Sequence, residues 1–108
     1  MDLNGKHVLI TGGTGSLGKQ LVKTILKRWP NVKRLIIFSR DEQKQFQMNM
    51  EYPVVAGGNM RYFIGDVRDP ERLKRAFKGV TNVIQAAAMK HVHIAEYNPM
   101  ECFMTNVM

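Results

Sequence analysis

The 108-residue sequence has a single cysteine, Cys102, which excludes a disulfide within the chain and suits a reducing compartment. No apolar run approaches the roughly 18–20 residues needed to cross a bilayer. The opening Met-Asp-Leu-Asn-Gly-Lys passes directly into an apolar strand, without a charged-then-apolar leader. Neither secretion nor a membrane partner is expected, and the chain is read as cytoplasmic. Acidic residues are few, 9 against 16 lysines and arginines, for a net charge of +7. The cations are scattered along polar helix faces, with no dense run or basic-aromatic ladder, so no nucleic-acid partner is expected. The hydrophobic content of 44% is too high for a disordered chain, and the length fits one domain, residues 1–108.

Strand and helix patterns alternate along this length. His7-Val8-Leu9-Ile10 is a short apolar run of the kind buried on both faces of a parallel sheet. Apolar residues then recur at Leu17, Leu21, Val22, Ile25, Leu26 and Trp29, the spacing of an amphipathic helix, which Pro30 and Asn31 stop. Leu35 to Phe38 reads as a second strand, and Asp41 caps a helix from about Glu42 to Tyr52. Tyr62-Phe63-Ile64 makes a third strand, and Asp69-Pro70-Glu71 opens a third helix that buries Leu73, Ala76 and Phe77 and ends at Gly79. Val83 to Ala88 is a fourth strand. Asn98-Pro99-Met100-Glu101 reads as a capping box that opens a further helix, still unfinished at Met108.

The order βαβαβαβα implies an α/β fold, the N-terminal half of a doubly wound Rossmann sheet in order 3-2-1-4 with helices on both faces. The fourth strand would then lie at an edge. Its apolar, uncharged sequence is unlike a protected edge and calls for a neighbour.

Between the first strand and first helix lies Thr11-Gly12-Gly13-Thr14-Gly15-Ser16-Leu17-Gly18. Gly12 permits the tight turn, Gly15 leaves the backbone open to a pyrophosphate, and Gly18 lets the helix approach the sheet. The amides of Ser16 and Leu17 would face phosphate oxygens at the helix N-terminus. Gly12, Thr14, Gly15, Ser16, Leu17 and Gly18 are therefore the candidate phosphate cradle, against the plainer reading of a tight turn. No lysine stands after a glycine and before Ser or Thr, which disfavours nucleotide triphosphate hydrolysis.

The end of the second strand discriminates between dinucleotides, because an acidic residue there accepts the ribose 2′-hydroxyl of NAD. Here it carries Ser39-Arg40, a hydroxyl and a guanidinium suited to a 2′-phosphate, and so to NADP. Asp41 is the competing acid and is assigned to the helix cap. Asp66 and Val67 would offer a carboxylate and an amide to adenine; the alternative is a strand-ending aspartate that satisfies local amides. Ala86, Ala87 and Ala88 are small where a cofactor passes close to backbone, although three alanines are also ordinary packing.

Taken together, the glycine turn, Phe38-Ser39-Arg40-Asp41-Glu42-Gln43-Lys44-Gln45, Ile64-Gly65-Asp66-Val67-Arg68-Asp69, Ala86-Ala87-Ala88-Met89-Lys90-His91-Val92, Ala95-Glu96-Tyr97-Asn98-Pro99 and Thr105-Asn106-Val107 resemble extended short-chain dehydrogenases. Among these the segments are most similar to the inverting UDP-N-acetylglucosamine 4,6-dehydratases of bacterial surface-sugar biosynthesis. The resemblance covers the whole chain. It implies an NADP-dependent sugar-nucleotide lyase acting on a UDP-sugar: a hydride leaves the hexose C4, water is lost across C5–C6, and the hydride returns to C6. It also implies that Gly12, Ser16, Leu17, Ser39, Arg40, Asp66, Val67 and Ala86 to Ala88 line the cofactor, with Lys90 toward the sugar. His91 and His93 are read as locally bonded turn histidines and form no metal site.

One departure limits that implication. The family uses a Tyr-x-x-x-Lys pair, but four residues beyond Tyr52, Tyr62 and Tyr97 stand Ala56, Asp66 and Glu101. The expectation is thus a cofactor-binding part, truncated before its catalytic and substrate region and inactive alone. The alternative is a non-catalytic half-Rossmann module that binds a nucleotide or pairs with a partner, including a second copy, through the bare fourth strand and Met100, Met104 and Met108. An active reductase or epimerase of the same superfamily is disfavoured by the missing pair.

Overall fold

The computed structural model of the chain describes residues 2–12 and 14–86, together with the backbone of 104–106. In chain order the elements are β1 (His7–Thr11), α1 (Ser16–Arg28), β2 (Arg34–Ser39), α2 (Glu42–Glu51), β3 (Met60–Ile64), α3 (Pro70–Ala76), β4 (Asn82–Gln85) and β5 (Met104–Asn106). The sheet order is β3-β2-β1-β4-β5. The first four strands are parallel, so the expected 3-2-1-4 arrangement is present, with β1 at its centre.

Period-two alternation divides these strands between two cores. Val8, Ile10, Leu35, Ile37 and Ile84 pack with Leu21, Val22 and Ile25 of α1 and with Met48 of α2. Leu9, Ile36, Phe38 and Val83 face the other way, onto Ala76 and Val80 beside α3. Right-handed crossovers require this division: the walk from β1 through β2 to β3 puts α1 and α2 on one face, and the return to β4 puts α3 on the other. Each fully buried leucine or isoleucine stabilises by about 1.5–3 kcal/mol relative to exposure.

Local chemistry ends the elements where the sequence indicates. The Trp29 amide closes α1 onto the Ile25 carbonyl at 2.8 Å, and Pro30 has no N–H to continue it. Asp41 and Asp69 each accept an amide three residues on, from Lys44 at 2.9 Å and Arg72 at 3.2 Å. Pro70 occupies the first position of α3, and Gly79 leaves that helix in the left-handed region at φ +80°.

Three expectations need correction. Strand β4 ends at Gln85, so Ala86 lies past it, because Gln85 pairs with Thr11, the last residue of β1; Ala87 and Ala88, expected in the same strand, lie outside the described residues. Residues 104–106 form a strand rather than part of a last helix, running antiparallel to β4 with Asn82 opposite Asn106 and Ile84 opposite Met104. The rest of that expected helix, with Met100 and Met108, lies outside the described residues. In consequence the β4 edge is not bare: an apolar edge with open backbone donors and acceptors takes a β partner, and here the chain supplies its own. The pairing surface expected at β4 is therefore already occupied.

Candidate functional site

The strands end together in a cleft of about 850 Å³ above the β1 and β4 carboxyl ends. Helix crossovers leave the sheet in opposite directions there, so none of the described helices covers the gap. Thr11 and Gly12 of β1, Ser39 and Arg40 of β2, Gly65 to Arg68 after β3, and Gln85 of β4 all contribute to its wall.

Gly12 turns the chain out of β1 at φ +67°, and its amide donates to the Phe38 carbonyl at 2.9 Å. Gly15 follows in extended conformation as the N-cap of α1, and a Cβ built there meets nothing within 4 Å. Its hydrogen therefore faces the open cleft rather than protein. The cap carries no side-chain hydrogen bond, and the first turn of α1 holds no acid. Amides at such an end attract an anion through both their N–H groups and the helix dipole. Gly18 is buried, as its packing role requires.

Beyond β2, the Ser39 side chain is buried and its hydroxyl accepts a 2.9 Å hydrogen bond from the Gln45 amide. Arg40 is exposed and lies 3.6 Å from Asp66. Lys44 enters the same wall from the first turn of α2. Asp41 also lines the cleft while giving one oxygen to the helix cap.

Beyond β3, the chain turns through Asp66 to Asp69, closed by the Asp69 amide on the Asp66 carbonyl at 2.9 Å. The Asp66 carboxylate accepts the Arg68 amide at 2.8 Å and the Arg68 guanidinium at 2.8–3.2 Å. Hydrogen bonds from the Arg68 side chain, and then from its amide, bring the Asp66 carboxyl down to about 2. Asp66 thus satisfies a local amide and lines the cleft at once. Gly65 has no room for a side chain: a Cβ would sit 2.7 Å from Arg72 Cγ and 2.8 Å from the Phe38 ring. Arg72 is fixed there by the Ile64 carbonyl at 2.7 Å and by the Phe63 ring, 4.1 Å from its guanidinium carbon.

Of the residues singled out from sequence, Gly12, Thr14, Gly15, Ser39, Arg40, Asp66 and Val67 line this cleft. Ser16 and Leu17 open α1 beside it, with the Leu17 side chain turned into the core. Ala86 is also turned into the core, on the α1 face. Ala87, Ala88, Lys90, His91 and His93 lie outside the described residues. Sequence reasoning missed Lys44, Gln45, Gly65 and Arg68. The i+3 step from Asp41 to Lys44 is a usable signal, since it returns to the same end of α2. Among the described residues no group of three or more potential metal ligands occurs, and no helix is long and apolar enough to cross a membrane.

A parallel sheet in this order, with a glycine turn at the point where the crossovers diverge, defines a Rossmann-type nucleotide-binding fold. Its particular family follows from comparison with known proteins. The chain belongs to the polysaccharide biosynthesis protein family, which matches residues 8–108. It is 58% identical over 105 residues to an inverting UDP-N-acetylglucosamine 4,6-dehydratase of Campylobacter jejuni, covering 96% of this chain and 30% of that protein. A UDP-glucose 4-epimerase of Rickettsia akari is 40% identical over 105 residues, with 95% and 30% covered. Among solved structures, the X-ray structure of Pen from Bacillus thuringiensis superposes with a TM-score of 0.72 at 40% identity, covering 94% of this chain and 30% of that one. The chain thus spans about 30% of the length of the relatives it matches.

Proposed function

We propose that this chain is the NADP-binding part of a UDP-N-acetylglucosamine 4,6-dehydratase acting in surface-polysaccharide synthesis, and that it has no dehydratase activity alone. The observation that carries the reading is the pairing of two features in one cleft: an uncapped α1 N-terminus behind Gly15, and Ser39 and Arg40 at the end of β2 beside Lys44 of α2. The first suits the pyrophosphate, because donors and dipole both face it. The second suits a 2′-phosphate, because two cations and a hydroxyl stand where an NAD site keeps a free carboxylate. Asp41 meanwhile serves the cap. Val67 is about half exposed, offering an apolar surface for adenine beside Asp66.

When bound, NADP would accept and return the hydride; this chain's part is to hold and orient its adenylate and pyrophosphate. UDP-sugar binding and proton transfer fall to residues of a longer protein. Tyr62 cannot substitute as a base: its hydroxyl donates to the Tyr52 carbonyl at 2.7 Å, and burial pushes it up to about 12. The reading implies a cytoplasmic protein, consistent with the single cysteine.

Calorimetric titration of the chain with NADPH beside NADH tests it. Saturable binding that prefers NADPH is the expected result. No heat with either ligand, from a chain folded by circular dichroism, overturns the cofactor reading. A dehydratase assay with UDP-N-acetylglucosamine and NADP is expected to show no turnover, and turnover would overturn the inactivity.

A further inference from the structure

Gln45 is a polar side chain with only 3% of its surface exposed, one turn into α2 and behind the cleft wall. Its amide nitrogen faces three oxygens: Ser39 Oγ at 2.9 Å, the Phe63 carbonyl at 3.1 Å and the Ser39 carbonyl at 3.4 Å. Two of these are backbone carbonyls, which only accept. The side-chain amide must therefore present its NH2 group to them, and the flipped orientation is excluded by chemistry. Its two hydrogens serve the two closest oxygens, so the Ser39 hydroxyl is fixed as an acceptor on its inner side.

A hydroxyl has one hydrogen and two lone pairs. With one lone pair committed to Gln45, the Ser39 proton is directed away from α2, on a residue that lines the cleft. Among the described residues none accepts that proton. Ser39 thus keeps its proton free to donate into the cleft that it lines.

We propose that Gln45 is a positioning residue for cofactor choice, holding the Ser39 hydroxyl as a donor matched to a phosphate on the ribose 2′ oxygen. This rests on the NADP reading above and adds to it a residue that touches no ligand. A 2′-phosphate only accepts, and its charge strengthens the bond. A 2′-hydroxyl can accept the same hydrogen bond but carries no charge, so it gains less from the Ser39 proton than a phosphate does.

The test uses the whole chain and two probes that differ only at the 2′ position, 2′,5′-ADP and 5′-AMP, titrated by NMR. The wild type is expected to prefer 2′,5′-ADP. Gln45→Met and Ser39→Ala are each expected to lower that preference about tenfold, the size of one hydrogen bond to a charged acceptor, with 5′-AMP affinity little changed. Gln45→Met added to Ser39→Ala should lower it no further. A purely structural Gln45 would instead weaken both probes equally, and that result overturns the proposal, as does Ser39→Ala with its preference intact. Should Gln45→Met fail to fold, the wild type still decides. Its Gln45 side-chain amide resonance should shift with 2′,5′-ADP and not with 5′-AMP, because a donating hydroxyl is a stronger acceptor; equal shifts overturn the proposal. Wild type that binds neither probe overturns the cofactor reading and this inference together. Wild type that prefers 2′,5′-ADP while the variants retain the preference overturns this inference alone.

Discussion

Helices α1 and α2 begin within a few residues of the same cleft, yet they finish their first turns in opposite ways. Asp41 closes α2 with its own carboxylate, as Asp69 closes α3, whereas Gly15 offers α1 no side chain at all. A capped helix end is electrically and sterically complete. An uncapped one facing open space retains free donors and the positive end of its dipole. The difference separates completed helix ends from one still open to a ligand more sharply than the glycine spacing does, because it identifies the donors left over.

The strongest way to break this contrast is to make α1 resemble α2. Gly15 has the extended backbone of a cap residue and clear space at Cβ, so Gly15→Asp is expected to fold and to cap α1. The carboxylate would then occupy the anion position. Affinity for NADPH should fall by two orders of magnitude or more, about 3 kcal/mol, while the melting temperature stays level or rises. Calorimetry beside thermal melting reads both, and unchanged binding would remove α1 from the site.

A smaller effect is expected at the end of β2. Arg40 is exposed, and its ion pair among the described residues is a loose 3.6 Å approach to Asp66, so its removal should cost the fold little. Arg40→Ala should weaken NADPH about tenfold, roughly 1.4 kcal/mol, and NADH much less. Equal losses for the two cofactors would remove Arg40 from 2′-phosphate recognition. The capped ends should behave conversely. Asp69→Ala is expected to lower stability by about 1 kcal/mol in urea unfolding and to leave NADPH affinity unchanged.

Much of this arrangement was legible in the residues. The four parallel strands, the caps at Asp41 and Asp69 and the turn at Gly12 each follow from a local rule, and local rules are readable in sequence. Seven of the residues singled out line the cleft because they lie at strand ends, where a doubly wound sheet must leave its gap. What escaped depends on partners distant in sequence. Gln45 reads as an ordinary polar helix residue, and only the arrival of Phe63 from β3 shows that it is buried and bonded. Likewise, only the fold shows that the Ala86 side chain turns into the α1 core, which leaves its backbone as the part a cofactor could approach. The strand at 104–106 was hidden for a related reason. Its capping-box signal is local, while the β4 edge that recruits it lies some twenty residues earlier.

The smallest effect concerns the other carboxylate of the cleft. Asp66 differs from Asp41 and Asp69 in being held by a guanidinium as well as an amide, which lowers it from 3.8 to about 2. A carboxyl lowered on folding adds stability above its unfolded value and loses it as pH falls through the folded one. Any contribution from Asp66 should therefore be complete above about pH 4 and disappear toward pH 2. The pair is exposed to water and salt, so the change in melting temperature should be slight. Arg68→Ala makes it visible: NMR should place the Asp66 carboxyl back near the ordinary aspartate range, with the wild-type and variant melting curves converging at pH 2. An Asp66 that still titrates near 2 without Arg68 would transfer its stabilisation to the cleft's other cations, and with it the distinction between Asp66 and the two capping aspartates.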